Sequence, residues 1–212
     1  MATLKTPINK SDHIRGPMTA AVTLVEYGDY QCPHCGMAHP IVNQVQAYFR
    51  DSLRFVFRHF PLTEVHPLAG IAAESAEYAG AAGLFWEMHD ALFENQSILS
   101  ISTIFMIADQ LRLPEVLLRN ALETGQYKSK VRSDVMGGVR SGVNGTPAFF
   151  INGVRHDGPY DFASLVSAIQ LQLGCRQSCL SGAQASIGKA SVDNGQRDRG
   201  SLGVMKRNQF RR

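Results

Sequence analysis

The distribution of hydrophobic and polar positions predicts a β–α–β unit near the start of the chain. Residues 22–27 form a short apolar run rich in β-branched side chains, which is typical of a buried central strand. Apolar positions then recur at helical spacing over residues 36–50, and residues 53–60 alternate bulky and polar side chains. The order of elements is therefore strand, helix, strand. The polar residues 1–20 predict only an extended lead-in around the domain.

The middle of the chain has a different periodicity. From about residue 66 to residue 142 the apolar positions follow helical spacing, with breaks at Pro114 and Gly125. This stretch predicts a run of helices inserted between two β-rich segments. Because no strand pattern interrupts it, we expect the insertion to form one helical block.

The final part of the pattern predicts a hairpin followed by a helix. Residues 148–151 indicate a third strand, Asn152-Gly153 is a two-residue turn signal, and residues 154–156 indicate a short fourth strand. Residues 162–173 carry one apolar stripe with Asp161 in capping position, which predicts a closing helix.

Length and composition set bounds on the class of protein. With 212 residues, of which 44% are hydrophobic and 18% charged, the chain can bury one core that carries a large insertion. No apolar run approaches the roughly 20 residues that span a bilayer, and residues 1–7 lack the apolar core of a signal peptide. We therefore expect a cytoplasmic protein, or a periplasmic one if a signal has been removed.

The charge is distributed unevenly. Residues 175–212 hold eight Lys and Arg against two Asp, whereas residues 1–174 hold thirteen against sixteen Asp and Glu. The first segment is predicted to be the folded domain, and nothing in it suggests a nucleic-acid partner. The second is rich in Gly and Ser and poor in apolar residues, so it is predicted to be a disordered basic tail.

The chemistry is concentrated in Cys32-Pro33-His34-Cys35, at the junction of the first predicted strand and helix. A C-x-x-C in this position is a dithiol redox signature. Cys32 is the predicted nucleophile, because a thiol at a helix N-terminus is favoured as thiolate. Cys35, one turn on, is placed to resolve a mixed disulfide. Pro33 suits the first helical turn, and the His34 imidazole would lower the Cys32 pKa further.

Two motifs carry a resemblance to a known family. The run 25–35 resembles the active-site segment of the DsbA-like branch of the thioredoxin superfamily, and residues 145–153 resemble the cis-proline loop and hairpin of that family. The resemblance covers roughly residues 20–173. It implies a thioredoxin-like α/β fold, in which helices flank a central mixed sheet and the helical insertion at about 66–142 forms a lid beside the active site.

The resemblance also implies roles for three residues outside the dithiol. Thr146 and Pro147 would form a cis-proline loop whose backbone pairs with an extended substrate strand. Glu26 lies within an apolar strand, where burial should raise its pKa, and it matches a family acid that carries a proton for Cys35. The alternative for Glu26 is a partly solvated carboxylate paired with a base such as Arg58.

These observations predict a thiol–disulfide oxidoreductase that acts on cysteine-containing proteins and is recycled by an unidentified redox partner. The Cys32–Cys35 disulfide would be its only redox group, with no cofactor, metal or membrane span. Its oligomeric state is left open. In a reducing cytosol the same protein would serve as a reductase or isomerase.

Two other classes of protein compete with this interpretation. The first is a zinc-binding protein in which Cys175 and Cys179 complete a four-thiolate site with Cys32 and Cys35. The same tail cysteines would otherwise be a relay pair or unpaired thiols. The second is a glutathione-dependent transferase or isomerase of the kappa type, against which Cys35 argues because those enzymes need no resolving cysteine.

Overall fold

A five-stranded mixed sheet lies at the centre of the part of the chain that the structure describes. The computed structural model describes residues 2–174. The strands lie in the order β1-β3-β2-β4-β5, where β2 and β3 are parallel and every other neighbouring pair is antiparallel. Their bounds are β1 His13–Arg15, β2 Val22–Gly28, β3 Leu53–His59, β4 Ala148–Ile151 and β5 Val154–His156.

Helices pack against this sheet, and most of them belong to the insertion between β3 and β4. The helices of the described residues are α1 Pro33–Phe49, α2 Ala69–Ala81, α3 Phe85–Glu94, α4 Ile101–Gln110, α5 Glu115–Thr124, α6 Lys128–Arg140 and α7 over residues 162–174. The fold class predicted from the sequence is confirmed, and the predicted elements agree with these bounds to within a few residues.

The central strand β2 determines which side chains face the dithiol. All seven of its residues are buried, because helices or the N-terminal segment cover both faces of the sheet. Successive side chains of a strand point to opposite faces. Leu24 therefore joins the core cluster that contains Cys32 and Cys35, whereas Val25 and Tyr27 join a second cluster on the other face.

The N-terminal segment departs from the prediction, since it contains a strand. β1 pairs antiparallel with β3, with Ile14 opposite Val56, and Thr3 forms an isolated bridge with Val154 at the other edge of the sheet. Ile14 is the only large apolar residue among the three of β1. Three residues are too few to show the alternation of a strand in the sequence. Backbone pairing with the edge of β3 stabilises this strand instead.

Two further expectations concern membranes and the C-terminal tail. Within residues 2–174, each helix is too short or too polar to cross a bilayer. The predicted domain limit at residue 174, the disorder of residues 175–212 and any role for Cys175 and Cys179 fall outside the described residues, and they stay predictions.

Candidate active site

The Cys32-Pro33-His34-Cys35 motif lies after the end of β2, at the start of α1. Cys32 is the N-cap of α1, with an extended backbone, and Pro33 follows at the start of the helix, where its missing N–H removes no hydrogen bond. Cys32 and Cys35 are free thiols in this structure, and both are buried. The unpaired N–H groups of the first helical turn are thus available to the Cys32 sulfur.

The environment of Cys32 favours its thiolate. A hydrogen bond from the Cys35 thiol is the largest influence on the Cys32 pKa and lowers it, and the contact with Thr146 and the backbone N–H groups of Cys35 and His34 lower it further. Burial opposes them, yet the pKa falls to about 5. As a thiol, Cys32 donates a hydrogen bond to the Thr146 carbonyl oxygen at 3.4 Å. Because its pKa is about 5, however, Cys32 is largely ionised at neutral pH.

Cys35 has the opposite character. Its side chain is fully buried, and burial is the main reason why its pKa lies well above the ordinary value. The hydrogen bond to Cys32 and the negative charges of Glu26 and Cys32 raise this pKa further, while the Asp29 N–H, 3.4 Å from the sulfur, partly offsets them. The two thiols of one motif thus have pKa values that are shifted in opposite directions.

Glu26 lies beneath the dithiol on the same face of β2 as Leu24. It is only 3% exposed, and its Oε1 atom has no hydrogen-bond partner among the described residues. Burial, and secondly the negative charge of Cys32, raise its pKa to about 8. Glu26 is therefore a carboxylic acid that keeps its proton at neutral pH beside the thiol with the raised pKa.

The alternative pairing of Glu26 with Arg58 is wrong. The register places Glu26 opposite Phe57 and Tyr27 opposite Arg58, so the Arg58 side chain lies with Tyr27 on the other face of the sheet. There Arg58 pairs with Asp12, with its Nε donating to Asp12 Oδ1 at 2.7 Å and its Nη2 donating to Oδ2 at 2.9 Å. This bidentate pair satisfies the guanidinium without the help of Glu26.

The loop before β4 faces the dithiol from the opposite side. The peptide bond between Thr146 and Pro147 is cis. The Thr146 carbonyl contacts the Cys32 sulfur, and the Thr146 hydroxyl is buried without a partner in the described part of the chain. This hydroxyl is a donor within reach of the thiolate once Cys32 ionises. The fold thus brings Thr146 to Cys32 across 114 residues of sequence.

The His34 imidazole has a different neighbour from the one expected. The sequence predicts it beside the Cys32 sulfur, but the hydrogen bond that the structure gives it is to Tyr160, with His34 Nδ1 3.1 Å from the phenolic oxygen. The part of His34 that acts directly on Cys32 is its backbone N–H. Any effect of the imidazole on the sulfur therefore acts through space.

Asp29 is a site residue that the sequence did not reveal. The residue is 1% exposed, with Oδ1 accepting from the Gln31 N–H at 2.7 Å and Oδ2 accepting from the Leu62 N–H at 2.9 Å. The same Oδ2 lies 2.8 Å from Nδ1 of His66. Since its backbone also contacts Cys35, Asp29 connects the active-site turn to the loop after β3.

Gln96, in the helical insertion, is a second residue that was missed. Its Nε2 donates to the carbonyl oxygens of Tyr30 and Cys32, each at 2.9 Å. The end of the Gln96 side chain packs so closely on α1 that a Cβ at Gly36 would force it to move. The insertion therefore holds the backbone of the nucleophile directly. This contact could not be predicted from the sequence, because 64 residues separate Gln96 from Cys32.

The fold also gathers histidines that lie far apart in the sequence. His13 and His59 each place Nε2 2.8 Å from Oε1 of Glu77. The Lys130 ammonium lies 3.5 Å from the same oxygen. A fixed positive charge at this distance opposes a divalent cation, so the cluster is better described as a carboxylate neutralised by three cationic or hydrogen-bonding groups.

A second cluster joins His39, His89 and Asp90. His39 Nε2 lies 3.0 Å from one Asp90 oxygen, and Arg15 donates to the other at 2.6 Å. The positive charge of the Arg15 guanidinium beside this carboxylate opposes the binding of a divalent cation there. The alternative four-cysteine zinc site stays a prediction, since Cys175 and Cys179 lie outside the described residues.

Comparison with known proteins decides the family. The family model described as "Thioredoxin" matches residues 8–171, which include both motifs and the whole insertion. The chain belongs to the thioredoxin superfamily. The family resemblance inferred from the two motifs is thereby confirmed.

Solved structures show which form of the thioredoxin fold this member has. Oxidised BdbD from Bacillus subtilis superposes with a TM-score of 0.74 at 23% identity, covering 82% of this chain and 98% of that one. α-DsbA1 from Wolbachia pipientis superposes with a TM-score of 0.73 at 20% identity, covering 84% and 98%. The fold of this thioredoxin-superfamily member is therefore DsbA-like.

Curated relatives by sequence carry another kind of name. "Na(+)/H(+) antiporter NhaA 1" of Salinispora arenicola is 46% identical over 158 residues, which are 74% of this chain and 24% of that protein. A Mycobacterium sp. protein with the same name is 40% identical over 171 residues, 79% of this chain and 28% of that protein. The present thioredoxin-superfamily chain thus spans about a quarter of the length of these relatives.

Proposed function

We propose that this chain is a protein thiol–disulfide oxidoreductase, with Cys32 as the exchanging sulfur and Cys35 as the resolving one. The observation that carries the proposal is the contrast between the two thiols. Cys32, at the N-terminus of α1, has a pKa of about 5, whereas the pKa of its buried neighbour Cys35 lies well above the ordinary value. Neighbouring thiols with such different proton affinities suit stepwise exchange.

The oxidising half-reaction follows from this assignment. A substrate thiolate attacks Cys32 Sγ in the Cys32–Cys35 disulfide, so a new S–S bond forms and the old one breaks. Cys35 leaves as a thiolate and takes up a proton, for which Glu26 is the donor. A second substrate thiolate then attacks the substrate sulfur of the mixed disulfide. Cys32 leaves as a stable thiolate, and two electrons have passed from the substrate dithiol to the protein.

The substrate chain is proposed to lie along the Thr146–Pro147 loop. Thr146 already contacts the Cys32 sulfur, so a substrate bonded to that sulfur must pass beside this loop. Extended segments commonly bind by backbone pairing with an exposed chain of this kind. Cysteine-containing proteins are therefore the proposed substrates, and no cofactor beyond the dithiol is required.

The stabilised Cys32 thiolate favours the oxidant direction. Stabilising the reduced form makes the disulfide a stronger oxidant. Equilibration of the protein with reduced and oxidised glutathione is expected to give a potential between about −180 and about −120 mV, the range from protein disulfide isomerase to DsbA. Titration of thiolate absorbance should place the Cys32 pKa near 5.

Other results of this measurement lead to different conclusions. A potential near about −270 mV, that of thioredoxin, would identify a reductase and overturn the direction but not the chemistry. Failure of Cys32 and Cys35 to form a reversible disulfide would overturn the function. One zinc ion held tightly per chain after purification under reducing conditions would favour the zinc-binding rival instead.

The names of the sequence relatives favour one kind of partner. In one protein called a Na(+)/H(+) antiporter, a segment 46% identical to this chain accounts for 24% of the length. Because domains joined in one polypeptide often act together, a membrane transporter is our proposed partner. Membranes treated with a Cys35→Ser variant should yield a mixed disulfide with an antiporter. If all trapped partners come from the water-soluble fraction, the transporter proposal fails.

A further inference from the structure

Tyr160 forms a hydrogen bond with the redox motif but has no part in the exchange steps of the proposed function. It lies just before α7, and its phenolic oxygen is 3.1 Å from Nδ1 of His34, 126 residues away in sequence. We propose that Tyr160 is a positioning residue, whose hydroxyl holds the His34 imidazole in place and thereby sets the oxidising strength of the Cys32–Cys35 pair. This inference rests on the proposed function and names a further residue that regulates the same site.

The Tyr160 ring is held firmly enough for this role. It is half-buried against the core cluster that contains both cysteines, and its ring centroid lies 6.3 Å from that of Phe149 in β4. His156 bonds to the Pro159 carbonyl at 2.8 Å, which fixes the turn before Tyr160. Asp161 caps the following helix by accepting from the Ser164 N–H at 3.0 Å. The chain on either side of Tyr160 is thus anchored.

The His34 side chain needs such an anchor. His34 is exposed, and an exposed imidazole without a partner samples several rotamers. The hydrogen bond to Tyr160 restricts this freedom and fixes the imidazole relative to the sulfur. The thiolate exists only in the reduced protein, so a dipole or charge fixed near it stabilises the reduced form over the disulfide.

The surroundings of Tyr160 keep its hydroxyl protonated. Burial raises the Tyr160 pKa, and the negative charges of Cys35 and Cys32 raise it further. The phenol therefore remains a hydrogen-bond donor across the pH range in which the dithiol exchanges. When it donates to Nδ1, a neutral His34 carries its own proton on Nε2.

A double-mutant cycle tests the inference. Tyr160→Phe removes only the hydroxyl, and it should shift the equilibrium with glutathione toward the disulfide by about three-fold. A neutral hydrogen bond corresponds to a factor of roughly 2 to 10 in an equilibrium constant, and part of this differs between the two redox states. His34→Leu should shift the equilibrium in the same direction. In the His34→Leu background, Tyr160→Phe should have no further effect.

The matched control is Tyr127→Phe, which removes a half-buried tyrosine hydroxyl whose partner is the neighbouring Gln126. It should leave the equilibrium unchanged. An unchanged equilibrium in Tyr160→Phe would overturn the inference, and so would an equal shift in both His34 backgrounds, because the hydroxyl would then act on the sulfur directly. In either case disulfide exchange itself persists, so the proposed function is judged separately by whether the wild type forms its reversible disulfide.

Discussion

A Cys35→Ser variant is expected to accumulate mixed disulfides with substrate proteins, whereas a Cys32→Ser variant forms none. Cys32 has the low pKa and contacts the Thr146 loop, so it is the sulfur that a substrate disulfide meets. Without the Cys35 thiol, no internal group can cleave the intermediate. Exchange by Cys32→Ser should fall to background, because a serine hydroxyl is not ionised at neutral pH.

The trapping experiment needs a background without other thiols. Cys175 and Cys179 should first be replaced by serine, so that Cys32 is the only cysteine in the trapping variant. Mixed disulfides are then counted by non-reducing gel electrophoresis with a cysteine-containing model substrate. Wild-type exchange rates in both single variants would contradict the dithiol assignment. A large loss of exchange in the tail double variant alone would assign a relay role to the tail cysteines.

Local signals explain why the dithiol was identified from the sequence. A short β-branched strand, a proline at the start of a helix and a C-x-x-C between them all lie within fourteen residues, 22–35. Each feature depends on its immediate neighbours, so the sequence pattern carries it directly. The Asn152-Gly153 turn was recognised for the same reason, and it joins β4 to β5 as predicted.

Contacts between distant segments explain what the sequence did not reveal. Gln96 and Tyr160 reach the motif from the insertion and from the loop after β5, and neither residue type marks such a role in a sequence. The two histidines around Glu77, His13 and His59, come from β1 and β3, and Glu77 lies in α2, so no spacing rule joins them. The wrong partner for Glu26 has the same origin. Only the register of β2 against β3, which the structure supplies, places Glu26 and Arg58 on opposite faces of the sheet.

A Glu26→Gln variant is expected to gain stability relative to the wild type as the pH rises. Folding raises the Glu26 pKa from about 4.5 to about 8, chiefly by burial. The unfolded chain therefore binds fewer protons than the folded one between these values, and unfolding becomes easier as the pH increases. The contribution of Glu26 to stability is complete below pH 4.5 and is lost as the pH rises through about 8.

The size of this effect follows from the linkage relation. One pKa unit corresponds to about 1.4 kcal/mol, so the free energy of unfolding of Glu26→Gln relative to wild type should grow by about 3 kcal/mol from pH 4.5 to pH 7. Urea unfolding of the reduced proteins at several pH values measures this change. The growth with pH is the prediction, because the difference at one pH also contains the cost of burying an amide.

Two comparisons isolate Glu26 as the source of the effect. Oxidised protein lacks the Cys32 thiolate, but the growth should largely persist there, since burial is the larger cause of the raised pKa. Glu64→Gln, which makes the same change at an exposed glutamate of this chain, is the matched control. A pH-independent difference for Glu26→Gln would mean that the folded protein keeps Glu26 ionised. Such a carboxylate could not supply the proton that Cys35 takes up, and the proposed route for that proton would then be wrong.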